Sequence, residues 1–422
     1  MSRLFRNIGW LLGGRGFNAV MSLIYLALAT RALGLDGFGY FAIIVALGQT
    51  VTGIANFQTW QFVGRWGAEK EGPAEATGFA IALDILSILG GTVLAAVLTW
   101  TATLWLPLPE DLLWLTFGYC VVSLLSIRTT PTGLLRLKFK FATATAAEAV
   151  QPAIRAAGAG LAWFFMPTVT GFILAWAASE VAVAAALWIA AGRDEKIDLS
   201  QISLSKIPAK HKDAWRFVWS TNMSGSLTIA GKQMIILLVG AIGGEAFAGG
   251  FRVASQLGQA LIALAQAVSK AIYPELIDAK DNARLIASRM ANIALIGGIL
   301  AVLFAIFFGR WGLETIAGEE FGIVYWAMVI LAIAGAVELI GASLESLLVS
   351  AGRAHTAFVV RAGPTVLALL LLKTAMDWNG LKGAAFAVLG SSSLAVVGFW
   401  IAILSLEQIR ITIEPVSTDD KK

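Results

Sequence analysis

About twelve stretches of this 422-residue chain each run about twenty residues or more with few charges. That pattern restricts the fold more than any other feature. A bilayer core of about 30 Å is crossed by about 20 apolar residues in α-helix, and only helices or closed barrels satisfy their backbone groups in lipid. The stretches are 8–30, 38–62, 76–104, 112–134, 142–165 and 170–191, then 215–240, 246–271, 290–309, 321–350, 357–375 and 383–406. Charged residues make up 14% of the chain, against about 25% in soluble domains, so too little polarity is present to coat a water-facing surface of this size. The sequence therefore predicts an all-α integral membrane protein of about twelve transmembrane helices. The short basic start, with Arg3 and Arg6, lacks a small-residue cleavage pattern and reads as the approach to a retained first span.

Orientation follows from the loops. With the N-terminus on the cytoplasmic side, and with residues at the very ends of spans counted with the adjoining loop, 21 of the 31 Lys and Arg residues fall in cytoplasmic segments, four fall on the opposite side and six lie inside spans. This positive-inside asymmetry places both termini in the cytoplasm. The longest loop, 192–214, divides six spans from six. The expected organisation is an N-terminal lobe at 1–191, a cytoplasmic linker at 192–214, a C-terminal lobe at 215–406 and a tail at 407–422. The halves share short matches. Leu33-Gly34-Leu35-Asp36-Gly37-Phe38 aligns with Ile242-Gly243-Gly244-Glu245-Ala246-Phe247, and Gly171, Ala175 and Ser179 recur as Gly383, Ala387 and Ser391. Six spans per half make such a repeat parallel, about an axis along the membrane normal.

Several function classes lack raw material. Cys120 is the single cysteine, and the two histidines, His211 and His355, lie in loops. A cysteine–histidine zinc site or a Ser-His-Asp triad cannot be assembled from them. No phosphate-cradling glycine loop is present, so no ATP hydrolysis and no cofactor are expected. Nothing in the pattern points to nucleic acid. The loops on the non-cytoplasmic side are too short for a membrane-embedded glycosyltransferase or polymerase, and Gly64-Arg65-Trp66-Gly67-Ala68-Glu69-Lys70 is a poor match to a facilitator-type loop. The chain reads as a transporter rather than an enzyme.

The ionisable residues at membrane depth are the informative ones, because each costs at least about 2.5–3.5 kcal/mol at a helix centre on insertion scales. The cations are Arg15, Arg128, Arg155, Lys232, Arg252 and Arg361; the acids are Asp84, Glu148, Glu180, Glu338 and Glu345. Arg15 and Lys232 occupy the first span of each half, and Arg155 and Arg361 the fifth, beside Pro152 and Pro364. Arg15, Arg155, Lys232, Arg252 and Arg361 are the candidates for lining a wet cavity and gripping a diphosphate, since a planar guanidinium fork suits phosphate oxygens. The competing expectation is that the cations pair with the acids and fix packing; Arg155 and Glu148, seven residues apart, suit such a pair. Arg128 reads as a side chain that snorkels to the interface. Asp84 and Glu338 are the candidate ion-coupling carboxylates.

The stretch Thr30-Arg31-Ala32-Leu33-Gly34-Leu35-Asp36-Gly37-Phe38-Gly39-Tyr40-Phe41 resembles the first inter-helix turn of polysaccharide flippases of the multidrug/oligosaccharidyl-lipid/polysaccharide exporter superfamily. Tyr273-Pro274-Glu275-Leu276 and Gly380-Leu381-Lys382-Gly383-Ala384-Ala385 are similar to that family as well. The resemblance implies two pseudo-symmetric six-helix lobes in a V shape, in a bacterial cytoplasmic (inner) membrane. It implies alternating access that flips polyprenyl-diphosphate-linked oligosaccharide, with membrane lipids and the glycosyltransferases or polymerase of the same pathway as partners. The alternative within the superfamily is a cation-coupled antiporter of small solutes or drugs.

Overall fold

A computed structural model describes residues 2–68, 72–193, 197–276, 283–350 and 353–413. Those residues are helical almost throughout, with no strand among them. The helices are α1 (Ser2–Ala55), α2 (Trp60–Trp66), α3 (Gly72–Thr101), α4 (Leu113–Leu125), α5 (Thr129–Leu137), α6 (Phe141–Glu148) and α7 (Val150–Phe165). They continue with α8 (Val169–Gly192), α9 (Lys206–Lys210), α10 (Ala214–Gly243), α11 (Glu245–Leu276), α12 (Ala283–Ala317), α13 (Tyr325–Ser350) and α14 (Ala354–Ile413).

Among the described residues, seven helical stretches are long and apolar enough to cross a bilayer, two of them 51 residues in length, Gly16–Trp66 and His355–Ser405. Each of those two holds a sharp turn and so makes two crossings. Within α1 the turn is at Gly34 (φ 65°, ψ −171°), and within α14 it is at Asn379 and Gly380. The remaining expected crossings are α6 with α7, α10 and α11. Pro152 interrupts the first of these, and polar residues such as Lys232, Arg252 and Gln256 dilute the other two. The total is the twelve crossings that the sequence predicts. Large apolar side chains such as Phe164, Phe307, Leu370 and Trp114 are exposed along these helices, as a lipid-facing surface requires.

The sequence matches between the halves have structural counterparts. Gly244, between α10 and α11, has φ 89° and ψ 177°, the same unusual conformation as Gly34, so the turn of the second half falls one residue beyond Gly243, the residue aligned with Gly34. Only glycine adopts it without strain. Gly171 and Gly383, also aligned, both sit so close to a preceding carbonyl, of Met166 and Ala375 respectively, that a Cβ on either would overlap it.

Two expected helices are broken. The span 112–134 ends at Leu125 and restarts at Thr129 because Pro131 has no N–H to give the carbonyl four residues back, that of Ile127. Trp188 Nε1 donates to that carbonyl instead, at 3.0 Å. The span 38–62 stops at Ala55. Asn56 Oδ1 accepts from the Gln58 N–H, Gln58 takes φ 55°, and Asn222 Nδ2 donates to the carbonyls of Ile54 and Asn56.

Packing divides the chain into two compact units. The first comprises Met1–Val253 and Trp311–Ile323, and the second Ala254–Arg310 and Val324–Lys422. In the first unit the linker folds onto α2 and α3. The backbone of Gly78 touches that of Gln201, Lys210 Nζ reaches Glu75 Oε2 at 2.8 Å, and Arg65 Nη2 reaches Asp213 Oδ2 at 2.8 Å. Beneath it Phe62, Trp66, Phe79 and Ile207 form a buried cluster. In the second unit, glycines bring helices together as in other membrane bundles: Gly258 against Met328 and Ala332, Gly298 against Ala336, and Gly398 against Val360.

Candidate functional site: a guanidinium–carboxylate cluster between two cavities

The break after α4 determines the site. Arg128 stands at the start of α5 with φ −120°, outside helical geometry. The break turns its side chain toward α8 rather than along a continuous helix. There Arg128 Nη2 lies 2.9 Å from Glu180 Oε2. Arg155, on α7, approaches the same carboxylate from another side, with Nη2 2.8 Å from Glu180 Oε1. Gln151 Nε2 donates to Oε1 at 2.9 Å, and Arg155 Nε donates to Ser179 Oγ at 3.2 Å. The Arg155 guanidinium carbon is 3.5 Å from the Trp176 ring centroid. One carboxylate, only 3% exposed, thus serves two guanidiniums.

A third cation adjoins this pair. Arg252 on α11 is 4% exposed. Its guanidinium carbon lies 5.7 Å from the Trp176 ring centroid and 5.9 Å from that of Phe41, within cation–π reach. Among the described residues its Nε makes no hydrogen bond, nor do the neighbouring Tyr25 hydroxyl and Trp176 Nε1. Tyr25 and Phe41 meet Trp176 edge-on, with centroids 4.7 and 5.4 Å away.

Two cavities flank the cluster inside the first unit. One, of about 420 Å³, is walled by Gln49, Asp84, Ser123, Arg128, Glu180 and Gln233 among others. The second, of about 390 Å³, is walled by Asn18, Arg128, Glu148, Gln151 and Arg155 among others. Both fall in the size range of small-ligand sites. Arg128 belongs to both walls. Ser87 Oγ and Gln233 Oε1 line the larger cavity and make no hydrogen bond among the described residues. Such a lining calls for water or a polar ligand.

Asp84, on α3, is 4% exposed. Three hydroxyls from the two helix breaks hold it: Thr59 and Thr129 donate to Oδ1 at 3.1 and 3.4 Å, and Thr130 donates to Oδ2 at 2.5 Å. Thr59 sits where α2 begins and Thr129 and Thr130 where α5 begins.

The remaining sequence candidates are placed as follows. Lys232 is on an exposed face of α10, beside the cavity-lining Gln233. In the second unit, Arg361 pairs with Glu345 and lies 3.4 Å from Glu338. Arg15 is on α1, and its side chain lies outside the described residues. Arg155 pairs with Glu180 on the neighbouring helix α8, at 2.8 Å, rather than with Glu148 seven residues back; α6 and α7 meet at Ala149, where Pro152 has no N–H for the Glu148 carbonyl. Arg128 does not simply snorkel; it forms an ion pair on two cavity walls. Its partnership with Glu180 is the feature missed in sequence, although Pro131 carried the signal for it.

If the Ile127 carbonyl needs the indole of Trp188, Trp188→Phe lowers stability by about 1 kcal/mol, the net worth of a buried hydrogen bond. Thermal melting of the purified variant checks this. An unchanged melting temperature would show that another group satisfies the carbonyl.

Comparison with known proteins places this geometry. The family described as polysaccharide biosynthesis protein matches residues 4–280. The inner membrane protein YghQ of Escherichia coli (strain K12) is 28% identical over 335 residues, which is 75% of this chain and 93% of that protein. Among solved structures, the lipid II flippase MurJ in an inward closed conformation superimposes with a TM-score of 0.75 at 13% identity, covering 97% of this chain and 94% of that one. An inward-facing multidrug resistance MATE family transporter of the MOP superfamily gives 0.69 at 15% identity, covering 94% and 96%. The chain therefore belongs to the polysaccharide biosynthesis protein family, as a multi-spanning membrane protein with the fold of the MOP-superfamily transporters.

Proposed function

We propose that this protein flips polyprenyl-diphosphate-linked oligosaccharide across the bacterial inner membrane by alternating access. The lobes that rock are residues 1–191 and 215–406, joined by the linker 192–214, with both termini and the tail 407–422 cytoplasmic. The observation that carries this reading is the cationic cluster of Arg128, Arg155 and Arg252 against a single carboxylate, Glu180, beside two polar cavities. A diphosphate head carries negative charge that must leave bulk water without entering hydrocarbon. Buried guanidinium forks at that depth supply both charge compensation and directed donors. Arg155 and Arg252 grip the head group, with Arg15, Lys232 and Arg361 as further contacts along its path, while the polyprenyl tail stays in lipid. The similarity to a lipid II flippase and the membership in a polysaccharide biosynthesis family agree with this cargo class. Glycosyltransferases or a polymerase of the same pathway are the expected partners, and the reading is of a transporter without catalysis.

Asp84 favours a second feature. A buried carboxylate held by hydroxyls alone is suited to exchanging a small cation with the adjoining cavity, so the transport cycle is read as ion-coupled, with Glu338 as the other candidate. The competing reading, a cation-coupled antiporter of small solutes or drugs, rests on the same residue and on the likeness to a multidrug transporter fold.

Proteoliposomes containing the purified protein and a fluorescent lipid-linked oligosaccharide separate the two. The flippase reading expects translocation of the lipid, lowered at least about tenfold in Arg155→Gln. The antiporter reading expects gradient-driven movement of a cationic dye and no lipid translocation. Charge reversal at Arg15 or Arg361 should likewise abolish surface polysaccharide in cells while the protein remains in the membrane. Normal polysaccharide in both variants would remove these two residues from the site.

A further inference from the structure

Arg155 and Arg128 hold the same carboxylate with unequal firmness. Arg155 is fixed by Glu180, by Ser179 and by the Trp176 ring face. Among the described residues Arg128 is anchored by Glu180, its side chain is 41% exposed, and it stands in non-helical geometry at a helix break. Glu180 Oε2 faces the Arg128 guanidinium without an aligned hydrogen bond. A carboxylate bridging two guanidiniums uses the same planar forks that a phosphate group would use. The weaker of those two links belongs to the residue common to both cavity walls.

We infer that Glu180 is a built-in competitor for the anionic cargo, occupying the Arg128 fork until a phosphate oxygen displaces it. This rests on the transport reading above and adds to it a mechanism of release. On arrival, the phosphate takes Arg128 and shares Arg155 and Arg252, while Glu180 keeps Arg155 Nη2 and Gln151. The positive charge left over in the Arg128–Arg155–Arg252 group is what draws the anion in. On departure, Glu180 recovers Arg128, so the buried Oε2 of the carboxylate regains its counter-charge. The internal carboxylate thereby keeps affinity modest, which a carrier requires, because a site that held the head group as tightly as three free guanidiniums would not let it go. Glu148 lines the smaller cavity from an exposed position and takes no part in the described ion pairs.

The test measures binding of inorganic diphosphate to the purified full chain in nanodiscs by calorimetry, with polyprenyl diphosphate as competitor to show that the lipid head uses the same site. Glu180→Gln keeps the acceptor for Arg155 but removes the competing charge. It should tighten diphosphate binding at least about tenfold and slow flipping of the lipid-linked substrate. Glu180→Asp keeps the charge but is one methylene too short to span both guanidiniums, so it should tighten binding by a smaller factor. Arg128→Gln should weaken binding at least about tenfold. Should Glu180→Gln fail to fold, the Glu180→Asp result decides. If Arg128→Gln weakens binding while neither Glu180 variant tightens it, the anion site stands and the competitor role is overturned. If neither the unaltered protein nor any Glu180 variant binds diphosphate, the diphosphate reading itself fails and the competitor role with it.

Discussion

Replacing Arg155 by Met is expected to lower stability by about 3 kcal/mol and to abolish transport, and the double variant Arg155→Met/Glu180→Gln is expected to recover the stability but not the transport. The reasoning is one of charge. Glu180 is buried and its Oε1 depends on Arg155 and Gln151. Removing one partner of a buried pair leaves an uncompensated carboxylate and costs about 3–5 kcal/mol. The lower end applies here because Arg128, part-exposed, still offers the carboxylate some compensation. Neutralising Glu180 removes the penalty. It does not restore the guanidinium over Trp176, so the cargo still lacks its firmest anchor. Thermal melting in detergent and flipping assays on all three proteins read the two effects separately. Transport recovered along with stability would mean that Arg155 is a packing residue and not part of the cargo site.

The second large effect concerns the turn at Gly34. The backbone of α1 just beyond it is pressed against α11, so that a Cβ on Gly39 would overlap the carbonyl of Glu245, and one on Gly249 would meet Gly39 and the Leu35 carbonyl. Tyr40 Oη donates to Glu245 Oε1 at 3.2 Å in the same contact. Backbone opposes backbone here, and no flexible side chain can yield. Overpacking typically costs about 1–3 kcal/mol where neighbours can shift; Gly39→Leu should exceed the upper figure and prevent accumulation of folded protein. Fluorescence-detected size exclusion checks this. A monodisperse peak at the level of the unaltered chain would show that α1 and α11 can separate at this point.

The legible parts of the fold are those specified by one-dimensional signals. Apolar run length gave the crossings, and the repeat around Gly34 was legible as a motif, although it pairs Gly34 with Gly243 while the second positive-φ turn falls at Gly244. The helix breaks at 56–59 and 126–128 were hidden, because long apolar runs flank both and hydropathy averaged over a span does not register a missing backbone hydrogen bond. Pro131 marked the second break, but which group would take the Ile127 carbonyl depended on Trp188, 61 residues away. The candidate site was legible as a set of costly buried charges and not as a set of pairs. Arg155 was matched in sequence to Glu148 on its own helix; its partner Glu180 comes from the next one. Arg361 does meet Glu338 and Glu345 from the preceding crossing. Tertiary pairing of this kind leaves no periodic trace along the chain.

The most direct test of the central claim, that membrane-depth guanidiniums receive a diphosphate, is electron cryo-microscopy of the protein in nanodiscs with a non-hydrolysable lipid-linked diphosphate. The account predicts phosphate density within hydrogen-bonding reach of Arg155 and Arg128, with Glu180 turned away from Arg128. Density for the head group elsewhere, with the Arg128–Glu180–Arg155 bridge intact in the loaded state, would contradict it.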